Sequence, residues 1–155
     1  SWRLDELRGL ANFQYGFGVG EILFPEKTEI KRSGKTGRTR YAFLGGKLLA
    51  SVRTSDGRLV LTLEGAKEVA KSKKLASYVV VDEIGEKYCR QGRNLMAKYV
   101  VKAGDVLAGD EVVVLNEKGE VVAIGKAVLS SEEMLIFDKG IAVKVRKGVD
   151  EEASP

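Results

Sequence analysis

Apolar and polar positions change their spacing several times along the chain, and each change predicts an element. From Trp2 to Phe13, residues Leu4, Leu7, Leu10 and Ala11 recur at intervals of three and four with charges opposite, which predicts an amphipathic helix. Gly16, Gly18 and Gly20 then interrupt the helical pattern and lead into Ile22-Leu23-Phe24-Pro25. Glu29 to Ser33, Arg38 to Leu44, Lys47 to Arg53 and Arg58 to Leu63 read as strands. They are separated by Gly34-Lys35-Thr36-Gly37, Gly45-Gly46 and Ser55-Asp56-Gly57, residue sets that make hairpin turns. In the second of these strands Arg38 and Arg40 alternate with Tyr41 and Phe43, so one face is expected to be charged and exposed. Glu64 to Lys74 reads as a helix whose last turn carries Lys71, Lys73 and Lys74, cations suited to the negative end of its dipole.

The Lys/Ser-rich stretch from Ala70 to Ser77 predicts a domain boundary. After it, Tyr78 to Val81 is a β-branched strand, and Asp82 to Arg90 a helix opened by a capping acid and closed by Gly92 within Gln91-Gly92-Arg93-Asn94. Leu95 to Val101, Glu111 to Asn116, Val121 to Val128 and Ile141 to Arg146 read as further strands. A short helix from Ser130 to Leu135 carries a Ser-x-x-Glu capping box, Ser130 to Glu133. Short strands with turn signals at this spacing predict a small β-barrel or sandwich. The expected organisation is α+β: a small N-terminal α+β domain with a hairpin sheet over residues 1–77, a barrel-like domain over 78–149, and a frayed tail over 150–155.

Charge changes the picture. The 155 residues carry +4 overall, but residues 1–77 hold 15 Lys/Arg against 8 Asp/Glu (+7), and residues 78–155 hold 11 against 14 (−3). Lys27 to Arg58 alone has nine bases against Glu29 and Asp56. That density marks either a polyanion site or a solvated hairpin. Histidine is absent, which excludes Ser-His-Asp, Cys-His and His-ligated metal chemistry; the single Cys89 excludes an intrachain disulfide and a multi-cysteine zinc site. No cofactor or metal is expected. No apolar run approaches the roughly 18 residues of a membrane span and no signal-peptide pattern opens the chain, so a soluble cytoplasmic protein is expected. With no initiator Met, a trimmed or tag-cleaved start is expected.

Several chemical-looking motifs fail on context. Ser33-Gly34-Lys35-Thr36 ends like a P-loop, but Glu29 stands where its first glycine belongs and a strand follows it, not a helix. Gly16-Phe17-Gly18-Val19-Gly20 is not GxGxxG and follows a helix, so its glycines are expected to permit a tight chain crossing. Cys89 sits beside Arg90 but shares a helix face with Ile84 and Tyr88, and reads as a small core residue. Glu132 and Glu133 are adjacent on a surface helix and do not face one another, so no acid/base pair is offered. Phosphate contact is the better-supported chemistry. Lys31, Arg32, Lys35, Arg38 and Arg40 flank one hairpin; Arg90, Arg93 and Asn94 converge on a helix end; Lys144, Arg146 and Lys147 close the last strand.

In the second half, Val79-Val80-Val81-Asp82, Arg90-Gln91-Gly92-Arg93-Asn94-Leu95, Ala108-Gly109-Asp110-Glu111-Val112 and Ala123-Ile124-Gly125-Lys126-Ala127 together resemble a PUA domain. Upstream, residues Ala11 to Gly20, Lys31 to Arg38 and Ser55-Asp56-Gly57 resemble the small domain that precedes PUA in archaeal tRNA-guanine (archaeosine) transglycosylases. The catalytic barrel of that enzyme, with its aspartates and zinc-binding cysteines, has no counterpart in this sequence. The resemblance implies a pseudo-β-barrel that holds tRNA, chiefly by the acceptor stem and its end. It implies contacts from Arg90, Gly92, Arg93, Asn94, Lys98, Arg146 and Lys147.

These readings lead to a non-catalytic RNA-binding protein that engages tRNA or another structured RNA, with basic residues of both domains forming one positive track. A detached accessory subunit of a separately encoded RNA-modifying enzyme is the alternative. A protein-interaction adapter, which the −3 balance of the second half permits, is the third.

Overall fold

The computed structural model describes residues 2–34 and 40–151, and its chain divides after Leu75 into two units, 1–75 and 76–155. In the first unit, helix α1 (Trp2–Tyr15) buries Leu4, Leu7 and Ala11 as the stripe predicts, and runs on to bury Tyr15. The glycines end α1, yet the chain then re-forms a short helix, α2 (Val19–Leu23), where the pattern predicted only an interruption. Its entry turn is held by Asn12, whose Oδ1 accepts the backbone N–H groups of Gly18 (3.1 Å) and Gly20 (2.6 Å). Gly20 crosses α1 so closely that a Cβ there would lie 2.3 Å from the Arg8 carbonyl oxygen, which is the tight crossing expected of the glycine run.

Strands β1 (Glu29–Arg32), β2 (Arg40–Leu44), β3 (Lys47–Val52) and β4 (Leu59–Leu61) form an antiparallel sheet in that order. The β2–β3 turn is Gly45-Gly46, with φ of 58° and 81°, the backbone for which glycine is selected. Most of the predicted Gly34–Gly37 turn, with Lys35 and Arg38, falls outside the described residues. Helix α3 (Leu63–Ala70) starts on Thr62, whose side chain accepts the Gly65 N–H at 3.1 Å. It stops short of the predicted Lys74. Ser72 N–H bonds to the Val69 carbonyl and Ser72 Oγ accepts the Lys74 N–H, a local alternative to further helix. Lys71 is therefore the C-cap, while Lys73 and Lys74 lie in the connection beyond it.

The second unit contains β5 (Tyr78–Val81), α4 (Glu83–Arg90), β6 (Leu95–Met96), β7 (Val100–Ala103), β8 (Glu111–Leu115), β9 (Val121–Ala127), α5 (Ser131–Ile136) and β10 (Ile141–Gly148). They build a nearly closed pseudo-barrel of order β6-β10-β9-β8-β5-β7, with β5 and β8 parallel and the other pairs antiparallel. The single strand predicted from Leu95 to Val101 is divided by a 3-10 turn at Ala97–Tyr99. There Ala97 N–H bonds to the Gly140 carbonyl and the Tyr99 carbonyl accepts the Asp82 N–H, so the chain turns from one sheet edge to the other. Both predicted caps form: Asp82 accepts the Gly85 N–H at 2.9 Å, and Ser130 and Glu133 make the reciprocal capping box. Valines and alanines from β5, β8, β9 and β10 fill the core with Cys89, Leu95 and Met134. The start of the expected tail is tied down. Asp150 N–H bonds to the Arg90 carbonyl, and the Glu151 carboxylate accepts the Gly148 N–H.

Cys89 is fully buried, and burial pushes its thiol up to about 12 from an ordinary 9.0. The folded state therefore holds a proton that the unfolded chain releases above pH 9, so this contribution is complete below that pH and declines as pH rises. Urea unfolding between pH 9 and 12 is expected to show a loss of about 1.4 kcal/mol per pH unit relative to Cys89→Ala. Parallel pH profiles for the two proteins would refute it.

Candidate nucleic-acid interface

The exit of α4 is a Schellman motif: Gly92 N–H bonds to the Cys89 carbonyl and Arg93 N–H to the Tyr88 carbonyl, with Gly92 at φ 83°. In this motif the residue after the glycine folds back over the helix's last turn. Here that residue is Arg93, and its guanidinium lies 5.0 Å above the Tyr88 ring. The 3-10 turn repeats the arrangement, setting Lys98 Nζ 5.1 Å from the Tyr99 ring. The two tyrosine rings are 6.0 Å apart and tilted by 44°. With Gly92, Asn94, Met96 and Ile141 these four side chains line an open cavity of about 590 Å³. Asn94 is fixed across the groove floor, its Oδ1 accepting the Val145 N–H at 3.1 Å. Arg93 and Lys98 are exposed and make no ion pair among the described residues, so both charges face solvent. Glu151 packs directly against Gly92 and puts one carboxylate beside the groove.

Four of the residues expected in this half, Gly92, Arg93, Asn94 and Lys98, thus meet in one groove; Arg90, Arg146 and Lys147 do not line it. Arg90 bonds Glu86 at 3.0 Å and Asp150 at 3.4 Å, and lines a separate cavity with Glu83, Asn116, Lys118 and Glu120. Burial there would raise the Glu86 carboxyl, but hydrogen bonds from Asn116 and Arg90 outweigh it and hold the group below its ordinary range. Arg146 makes a bidentate pair with Glu111, which is only 3% exposed. It is the extra residue of a β-bulge between Val145 and Lys147, and the bulge turns its side chain across β9 toward β8. Lys147 is half-buried opposite Ile124. The tyrosines, Met96 and Ile141 were absent from the expected set. The signal for them was an aromatic residue beside each cation: Lys98-Tyr99 in sequence, and Tyr88 one helical turn before the glycine exit.

In the first unit Lys31 and Arg32 are exposed on β1, with Lys31 Nζ 5.1 Å from the Phe43 ring. Arg32 sits opposite Arg40 across the sheet, a like-charge pair that is relieved because Arg40 bonds Glu6 of α1 at 2.7 Å. At the next turn Asp56 receives two hydrogen bonds from the Arg53 guanidinium and one from the Arg58 N–H, which hold its carboxyl far below the ordinary range. Of the basic hairpin, Lys31 and Arg32 therefore offer outward charge among the described residues, while Arg40 is engaged internally.

Residues 77–149, which span the strands and glycine exit described above, match the family model of the PUA domain. The second unit is a PUA domain. Ahead of it, residues 5–74 match a model described as the patch-forming domain C2 of tRNA-guanine transglycosylase. The tRNA-guanine(15) transglycosylase of Methanothermobacter thermautotrophicus is 40% identical over 147 residues, covering 94% of this chain and 22% of that protein. The Thermococcus kodakarensis protein of the same name is 43% identical over 145 residues, covering 91% and 24%. The chain therefore spans less than a quarter of the length of these curated relatives, and it is similar to the C-terminal region of the archaeal enzymes. Among solved structures, a hypothetical protein from Pyrococcus horikoshii superposes with a TM-score of 0.78 at 24% identity, over 96% of this chain and 91% of its own. A conserved PUA domain protein from Thermoplasma acidophilum gives 0.72 at 20%, over 97% and 91%. These two likenesses speak to the fold, and they extend beyond the PUA domain to the first unit. Among the described residues no helix is long and apolar enough to cross a membrane, and no group of three or more acidic or cysteine side chains could hold a metal ion.

Proposed function

We propose that the chain binds structured RNA, tRNA foremost, and is not catalytic by itself. The PUA groove is the principal contact and Lys31 and Arg32 provide a second basic patch. The observation that carries this reading is the pair of solvent-facing cations, Arg93 and Lys98, each set on a tyrosine face in one open groove. The two cations can neutralise phosphate oxygens that enter the groove, whose Gly92 side is bounded by the Glu151 carboxylate, and an RNA stem presents phosphates and 2′-hydroxyls over a shallow surface. Contact with about four to six phosphates gives a log–log salt slope of about −3 to −5. Filter-binding titrations of the full chain with unmodified tRNA across a potassium chloride series are expected to show that slope. A slope near zero would remove phosphate contact as the basis of binding.

A second reading, in which these domains serve a tRNA-guanine transglycosylase as its RNA-holding part, is favoured by the identity of 40% across both units. It predicts stoichiometric recovery of a transglycosylase catalytic chain with this protein. The first reading predicts RNA binding without it.

A further inference from the structure

The turn between α1 and α2 presents an aromatic ring that the fold itself does not use. Phe17 is 90% exposed, and Phe13, at the same end of α1, is 88% exposed. An exposed phenylalanine on a loose loop would call for no explanation, but this turn is rigidly made. Gly16 and Gly18 adopt φ of 133° and 92°, Asn12 accepts N–H groups from Gly18 and Gly20, and Gly16 and Val19 add backbone hydrogen bonds to Asn12 and Gly16. Five residues with special conformations or bonds thus hold a large apolar side chain in water.

The turn is also basic on one side. Lys74 lies along it, so that a Cβ on Gly18 would fall 2.6 Å from Lys74 Cδ and 3.0 Å from Nζ. Lys71 and Lys73 precede it in sequence; Lys71 is paired with Glu68 at 3.2 Å. The whole half from 1 to 77 carries +7. An exposed ring on one residue of the turn, with a lysine side chain against the next residue, supplies the two kinds of group a nucleotide calls for, a π-face for its base and a positive charge for its phosphate. A protein partner would require a broader apolar surface than two rings bordered by lysine.

We propose that Phe17, assisted by Phe13 and Lys74, is a stacking platform for an unpaired nucleobase, a site for single-stranded RNA on the first unit. This rests on the reading of the chain as an RNA binder, and adds to it a preference for RNA with an unpaired extension. Phe17 supplies the π-face, Phe13 the apolar wall and Lys74 the charge for the adjoining phosphate.

The test uses the full chain and two RNA probes: a hairpin with a short single-stranded 3′ extension carrying 2-aminopurine, and the same hairpin with a blunt end. The wild-type protein is expected to prefer the extended hairpin and to quench the 2-aminopurine. Phe17→Ala should weaken binding of the extended hairpin by about 5- to 150-fold, the range of one base–aromatic stack, and leave the blunt hairpin unchanged. Phe17→Leu should behave as the alanine variant and Phe17→Tyr as the wild type; circular dichroism confirms that each is folded. Equal affinities of wild type and Phe17→Ala for both probes, with Arg93→Glu weakening both, would overturn the platform and leave the RNA reading standing. Loss of self-association or of a protein partner on Phe17→Ala, with RNA affinities unchanged, would also overturn it. Absence of binding to either probe by the wild type would defeat the RNA reading itself.

Discussion

Reversing both groove cations, Arg93→Glu together with Lys98→Glu, is expected to lower tRNA affinity on the order of 100-fold. Both side chains face solvent over tyrosine rings, so their loss breaks no internal ion pair among the described residues and leaves the fold intact. A hydrogen bond to a charged group contributes about 1.5–3 kcal/mol, which is about tenfold or more each. The salt slope should also become shallower by about 2, one for each phosphate contact removed. Lys118→Glu, on the rim of the other PUA cavity, is the control and should bind as the wild type does. Filter binding at several salt concentrations reads both quantities. A double variant with unchanged slope would move the interface away from this groove.

The second large effect is on stability. Gly148 passes beneath the last turn of α4, where a Cβ would lie 2.2 Å from the Cys89 carbonyl oxygen and 2.4 Å from that of Arg90. Both neighbours are backbone, and the Arg90 carbonyl is already held by the Asp150 N–H. Gly148→Ala must therefore push the helix end off β10. The expected cost is about 3 kcal/mol, the upper end for overpacking. For a unit of this size that lowers Tm by about 12–24 °C. Scanning calorimetry measures it, and a Tm within a few degrees of wild type would show that the helix end yields freely. The same displacement would disturb Gly92 and Arg93, so RNA binding should weaken with the loss of stability.

How much could be read in advance follows from how local each cause is. The α1 stripe, the Asp82 cap, the Ser130–Glu133 box and the Gly45-Gly46 turn each depend on residues within a few positions of one another, and all were legible. Helix α2 was missed because it depends on Asn12 reaching forward to Gly18 and Gly20. The end of α3 was overrun because Ser72 competes for the backbone. The strand after Leu95 was read as continuous because its interruption is made by Gly140 and Asp82, far off in sequence. The groove divides in the same way. Gly92, Arg93, Asn94 and Lys98 belong to a local helix exit and the turn after it. Arg146 is taken up by an acid 35 positions away, which no local pattern announces, whereas Arg90 is engaged first by Glu86 one helical turn before it, a spacing the sequence did show, and then by Asp150.

Strand β10 carries one residue more than its partner β9 requires, at Arg146. Up to Val145 its inward positions are 143 and 145, opposite Ala127 and Gly125; past the insertion the count restarts, and 148 rather than 147 falls in with Ala123. A displacement of one step in this alternation therefore decides that the residue wedged under the helix is the one lacking a side chain, and that the neighbouring lysine is turned to the opposite surface. The seat on which the glycine exit of α4 rests is set by a miscount in a strand, made one residue past the Val145 N–H that holds Asn94 of the groove.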